Sequence, residues 1–222
     1  GHLVPLALPG GDRAANEPWR MAAAALHRLG RTQEITERFS GQQAAPAVAQ
    51  MLVGNIHCPP TTSMGRMFDA AAGLLGVKAV MAYEGQAAML MEGLAQSYGD
   101  ILPLDQGWRI EEGRLDLLPL FAVLADERNA ERGAALFHAT LAAALVDWLR
   151  VVAPGERAVT GSGGCFLNEV LVRALRSRLG AQGIQLIEAR QVPPNDGGLA
   201  VGQAWVALQH LVGRQGSVDG CA

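Results

Sequence analysis

From Arg157 onward the chain alternates short β-type runs with amphipathic ones, and the joins between them leave almost no slack. RAVTGSGG (157–164) runs from a strand into glycines, and CFLNEVLVRALRSRLG (165–180) follows as a helix. GIQLIEA (183–189) is a second strand and GLAVGQAWVALQHLV (198–212) a second helix. Strand–helix–strand–helix with tight joins predicts an α/β unit, because each helix must cover the sheet that its neighbouring strands build.

The preceding part is expected to be mostly helical. LVPLALP (3–9) reads as a short strand closed by Gly10 and Gly11. EPWRMAAAALHRLG (17–30) has Pro18 in its first turn and Gly30 at its end, the usual placement of both residues in a helix. PAVAQMLV (46–53), SMGRMFDAAAGLLG (63–76), EGQAAMLMEGLAQSYG (84–99) and GAALFHATLAAALVDWLR (133–150) are further helices, and GNIHCPPTT (54–62) is a loop. In the 84–99 helix, Ala87, Leu90, Met91, Leu94 and Ala95 share one face. β-like runs at Trp108–Ile110 and Leu115–Leu120 around EEG (111–113) predict a hairpin. The expected organisation is a largely helical part over 1–152, an α/β unit over 153–222, and a frayed tail at 214–222.

Half of the 222 residues are hydrophobic, 18% are charged and the net charge is −3, which suits a chain with a proper core. Lys78 is the only lysine and no Lys/Arg block occurs, so neither a nucleic-acid surface nor a polybasic membrane anchor is expected. No 18-residue apolar stretch is free of charge, and no signal peptide opens the chain. Cys58, Cys165 and Cys221 are odd in number and far apart. That spacing argues against a disulfide framework or a structural zinc site and suits a reducing cytoplasm. The first residue is Gly1 rather than Met, as in a processed chain or a piece of a longer one.

Three places carry candidate chemistry. TGSGGCFLN (160–168) follows a strand and opens a helix, so it is either a nucleotide cradle or a plain tight turn. In the first reading the amide of Asn168, expected in the first helical turn, reaches a ribose or base. TTSMGRMFDA (61–70) offers Ser63 as a helix cap, or Gly65 as a point of close ligand approach with Arg66 neutralising an anion. VPPNDGGLAVGQ (192–203) sets one acid, Asp196, before a helix, as a cap or as a ligand. Cys165 is read as a packed thiol and His138 as a satisfied core histidine. With no H-x-x-x-H or H-E-x-x-H, Asp196 has no metal partner in this sequence.

The order of LPGGDRAANEPWRMA (9–23), TTSMGRMFDAAAGLLG (61–76), YEGQAAMLMEGLA (83–95), FHATLA (137–142), GSGGCFLNEVL (161–171) and VPPNDGGLAVGQ (192–203) resembles the C-terminal part of the HypF-type carbamoyltransferases of [NiFe]-hydrogenase maturation. The resemblance implies an α/β module of the actin/Hsp70/sugar-kinase-like (ASKHA) type, incomplete here, with a helical first part and a βαβα C-terminal unit. It is akin to the threonylcarbamoyl transferases. It implies that ATP and carbamoyl phosphate give carbamoyl adenylate, and that the carbamoyl group passes to the C-terminal cysteine of a HypE-type acceptor. Gly65, Gly163, Gly164 and Asn168 are then nucleotide or substrate contacts, with Arg66 and Glu84 as further candidates. Asp196 becomes a ligand of a divalent metal (iron, zinc or magnesium) shared with histidines absent from this chain. Those histidines, the first lobe and the earlier domains of such proteins are partners the chain would need, and alone it is expected to be inactive. A small-molecule O-carbamoyltransferase and a nucleotide-binding or interaction lobe without chemistry are the competing readings.

Overall fold

The computed structural model describes residues 1–215. In chain order it builds β1 (His2–Leu3), β2 (Leu6–Ala7), α1 (Asp12–Asn16), α2 (Pro18–Arg28), α3 (Ile35–Arg38), α4 (Ala45–Gly54), β3 (Pro60–Thr61), α5 (Met64–Leu74) and α6 (Gln86–Tyr98). There follow β4 (Arg109–Glu111), β5 (Arg114–Asp116), α7 (Leu118–Asp126), α8 (Ala130–Val152), β6 (Ala158–Thr160), α9 (Glu169–Gly180), β7 (Gln185–Ile187) and α10 (Leu199–Gln215). The tail reading falls mostly on residues 216–222, which lie outside the described residues, as does Cys221.

The core is made where alanine-rich helices meet at close range. Ala22–Ala25 of α2 and Ala70–Ala72 of α5 are sealed from solvent. A Cβ on Gly73 would lie 2.5 Å from the Pro18 carbonyl and 2.8 Å from the Ala22 methyl, so only a hydrogen fits at that crossing. Around it pack Trp19, Phe68, Phe121 and Phe137, with the Phe68 and Phe137 rings edge-to-face at 4.8 Å. Glu17 locks the entry to α2. Its carboxylate accepts from Arg20 Nε at 2.5 Å, Trp19 Nε1 at 2.9 Å and Arg13 Nε at 2.5 Å. Burial raises its pKa, but the bonds from Arg20 and Arg13 more than offset that and hold it below the usual range. The EPWR segment is thus a structural lock.

Several local expectations shift. LVPLALP is not one strand: Pro5 offers no amide, and the chain changes sheets there. β1 pairs in parallel with β5, whereas β2 pairs antiparallel with β3, a short strand inside the expected loop. The hairpin forms as Arg109–Glu111 against Arg114–Asp116, with positive φ at Glu112 and Gly113. Its second strand stops at Asp116, whose Oδ1 accepts from the Leu118 amide at 3.0 Å and starts α7. In α6, Ala87, Met91 and Ala95 are buried, but Leu90 is exposed. α8 is long and apolar enough to cross a membrane by length and composition, yet more than half of its most apolar window is buried in the core.

The last part is mixed α/β. β6 and β7 pair in parallel, Ala158 with Gln185, Val159 with Leu186 and Thr160 with Ile187. α9 packs on α8, and its Leu171, Leu175 and Leu179 join the same core as the helical part. α10 packs mainly on the turn that precedes it, and its Leu199, Trp205 and Leu211 are exposed.

Candidate functional site

Two of the sequence segments singled out above meet at one place. β6 ends at Thr160, Gly161 donates to the Ile187 carbonyl at 3.1 Å, and the chain turns through Ser162–Gly163 into a 3-10 turn, Gly164–Leu167. The glycines have separate reasons. A Cβ on Gly161 would strike the Phe166 ring, which folds back over it. Gly163 has φ +98°, a conformation that side chains resist. Its amide donates to the Pro194 carbonyl at 2.5 Å, which ties the GSGG turn to the PPND loop. Gly164 faces open space.

The turn is a wall between two cavities. One, of about 400 Å³, reaches from Ser63, Gly65 and Gly161–Gly164 to an apolar floor that includes Trp148 and Leu175. The other, a groove of about 980 Å³, shares Gly161 and Gly163 and runs past Asn195 and Asp196 to Leu199 and Val206 of α10. Gly65, Gly163 and Gly164 thus line one cavity, and Gly163 and Asp196 the other. A further cavity of about 900 Å³ lies by Arg38, Lys78 and Arg128 and contains none of the expected residues. Its size alone does not make it the site.

Asn168 has another role. It is the N-cap of α9, not a residue of its first turn, because the 3-10 turn delays the helix. Its Oδ1 accepts from the Leu171 amide at 2.9 Å, and its Nδ2 lies 3.0 Å from His138 Nε2. His138 Nδ1 in turn sits 2.7 Å from the Ala134 carbonyl. With Nδ1 protonated, both ring nitrogens are satisfied, and burial pushes the imidazole pKa down to about 4. Asn168 is buried, with its Oδ1 and its Nδ2 both engaged inside the protein.

Arg66 is also committed. Its Nη1 reaches the Ala15 carbonyl at 2.5 Å and Asp69 Oδ2 at 2.9 Å. The latter approach is an ion pair without hydrogen-bond alignment, and Asp69 Oδ2 has no hydrogen-bond partner. Burial raises the Asp69 pKa to about 6 despite Arg66. Burial, with the Asp69 charge adding, pushes the Cys165 thiol up to about 11, away from the thiolate form. Glu84 is exposed and lines neither cavity at the turn.

Asp196 is exposed at the start of a 3-10 turn, Asp196–Gly198. The cap there is Asn195, whose Oδ1 accepts from the Gly197 amide at 3.1 Å. Ser63 stands at the start of α5 without a side-chain capping bond. Among the described residues no three His, Cys, Asp or Glu side chains cluster as a metal site. Sequence reasoning missed the Gly163–Pro194 tie and the Phe166 lid on Gly161. The lid shows in the sequence only as a glycine and a ring five residues apart, and the tie joins residues 31 apart with no local signal.

A family model described as "Carbamoyltransferase, Kae1-like Domain, second subdomain" matches residues 1–203. The chain belongs to the HypF carbamoyltransferase family. It is 54% identical to a carbamoyltransferase HypF2 of Cupriavidus necator over 94% of this chain and 30% of that protein. With a carbamoyltransferase HypF homolog of the same organism it shares 49% identity over 94% of the chain and 57% of that protein. It therefore spans less than two thirds of either relative. A crystal structure of full-length HypF, in a phosphate- and nucleotide-bound form, superposes with a TM-score of 0.78 at 28% identity, covering 95% of this chain and 29% of that one.

Proposed function

We propose that this chain forms part of an ASKHA-type module in a HypF carbamoyltransferase, and that its glycine turn holds the nucleotide portion of carbamoyl adenylate. The observation that carries this reading is the turn itself. Gly164 opens onto free space on the 400 Å³ cavity, and among the described residues its amide and those of Ser162 and Cys165 make no turn, loop or side-chain bond. The HypF neighbour solved with phosphate and nucleotide supports it.

In the proposed reaction, ATP and carbamoyl phosphate supply the adenylate, and the acceptor is the C-terminal cysteine thiol of a HypE-type protein. The sulfur bonds to the carbamoyl carbon, the carbon–oxygen bond to the phosphate breaks, and AMP leaves with that electron pair. The thiol proton passes to a base outside this chain. This chain's task is to fix the leaving phosphate with backbone amides, which cost no reorganisation as charge develops.

Asp196 borders the same groove and would be one ligand of a divalent metal (iron, zinc or magnesium), completed by histidines from elsewhere in the polypeptide. The exposed apolar residues of α10 support further polypeptide packing there, and we keep the division of the module near Val152. A cytoplasmic site of action suits the free thiols of Cys58 and Cys165. The chain spans 30% of the HypF2 relative, which favours a second reading, in which this part binds nucleotide or a partner and does no chemistry of its own.

The test uses the full polypeptide with ATP, carbamoyl phosphate and an acceptor protein ending in cysteine. Mass spectrometry should find a carbamoylated thiol with wild type and none with Gly164→Val of equal stability. Undiminished transfer by that variant would remove the turn from the reaction.

A further inference from the structure

The N-terminus of α9 lies just past the glycine turn, and protein already fills it. Glu92, in the middle of α6, places Oε1 2.7 Å from the amide of Glu169, the first residue of α9. Asn168 Oδ1 takes the Leu171 amide two residues later. The first-turn amides and positive end of a helix ordinarily attract phosphate. Here a carboxylate brought from another helix occupies them, and Glu92 lines neither cavity at the turn.

Upstream the situation reverses. The Gly163 amide is tied to Pro194 and the Phe166 amide to Gly163. The amides of Ser162, Gly164 and Cys165 make no described bond in the turns and loops or to a side chain. Gly164 and Cys165 head the 3-10 turn, where the first amides lack partners inside the turn.

We infer that Glu92 is a positioning residue: it closes the α9 terminus to anions and confines a nucleotide phosphate to the amides of Ser162, Gly164 and Cys165. The destination of the phosphate rests on the nucleotide reading above; the closure by Glu92 does not. Two features make the closure selective. The carboxylate uses the Glu169 amide, and its charge repels a second anion at the same end.

Residue-resolved hydrogen exchange on the full polypeptide, with and without ATP, tests this. In wild type, ATP should slow exchange at Ser162, Gly164 and Cys165 and leave Glu169 and Val170 unchanged. In Glu92→Ala the slowing should spread to Glu169 and Val170, and ATP affinity should change by about threefold, the size of one charge at a helix end. Glu92→Gln keeps an acceptor oxygen for the Glu169 amide and should hold the wild-type exchange pattern, while the lost charge should shift ATP affinity as in Glu92→Ala. ATP protection of Glu169 in wild type overturns the closure, and so does an unchanged pattern in a folded Glu92→Ala. Should that variant fail to fold, the wild-type pattern alone still decides. Absence of protection at 162–165 in wild type would instead overturn the nucleotide reading.

Discussion

Trp19 and Trp205 both stand on alanine-rich helices, and their surroundings could hardly differ more. Trp19 on α2 is 1% exposed, while Trp205 on α10 is 62% exposed. Composition does not separate the two helices; partners do. α2 has α5 against it at a distance only glycine permits, whereas α10 has little beyond its own leading turn. The helical part is thus a closed core that holds α5, α6 and α8 in place. The last part is joined to that core by the α9 leucines and carries the glycine turn and the exposed helix α10.

That contrast is most easily broken in the core. Phe68→Ala should destabilise the protein by about 3–5 kcal/mol, because it empties a sealed site packed against Phe137 and His138. Urea unfolding would show a lower midpoint; a shift under about 1 kcal/mol would mean the core is looser than described.

A second test uses the buried ionisable groups beneath the site. His138 has a folded pKa of about 4 against 6.5 normally, because burial disfavours its charge. Its stabilisation is complete above pH 6.5 and is lost as pH falls towards 4. Asp69 runs the other way: burial raises it from 3.8 to about 6, so its contribution is present below 3.8 and lost as pH rises to 6. The two oppose each other between pH 4 and 6. Asp69→Asn removes one of them, and stability should then fall more steeply than in wild type as pH drops from 6 to 4, by up to about 1.4 kcal/mol per unit. Urea midpoints at four or five pH values read this, and parallel curves would place one of the groups in contact with water.

The smallest effect is expected on the uncovered helix. Trp205→Ser should change stability by no more than about 0.5 kcal/mol, since it removes no described core contact. Thermal melts of both proteins check this, and a large loss would mean that α10 is covered after all.

Much of this arrangement was legible in the sequence. The helix with Pro18 at its start and Gly30 past its end formed close to the expected bounds, whereas the helix expected from Cys165 begins only at Glu169, after a 3-10 turn. What failed were places where a single side chain redirects the backbone. Pro5 splits one strand between two sheets, and Asp116 ends a strand by accepting from the Leu118 amide at the head of α7. Periodicity carries no trace of either. At the site, the glycine turn was visible from local sequence, but the fates of Asn168, Arg66 and Asp196 were not. Asn168 meets His138, Arg66 meets Ala15, and Asn195 rather than Asp196 takes the cap. Spacing could not separate such uses from ligand binding, because the deciding partners lie as far as 51 residues away.

The central claim is that the nucleotide meets the glycine turn and not the cavity beside Arg38, Lys78 and Arg128 in the helical part. Gly164→Val and Gly41→Val decide between them, since both positions have open space for a side chain and each borders one of the two cavities. The measurement is calorimetric titration of a non-hydrolysable ATP analogue into the full polypeptide and each variant. The account predicts that Gly164→Val weakens binding about tenfold or more, equivalent to roughly 1.4 kcal/mol, while Gly41→Val leaves it unchanged. Unchanged affinity in a folded Gly164→Val, with loss in Gly41→Val, would contradict it.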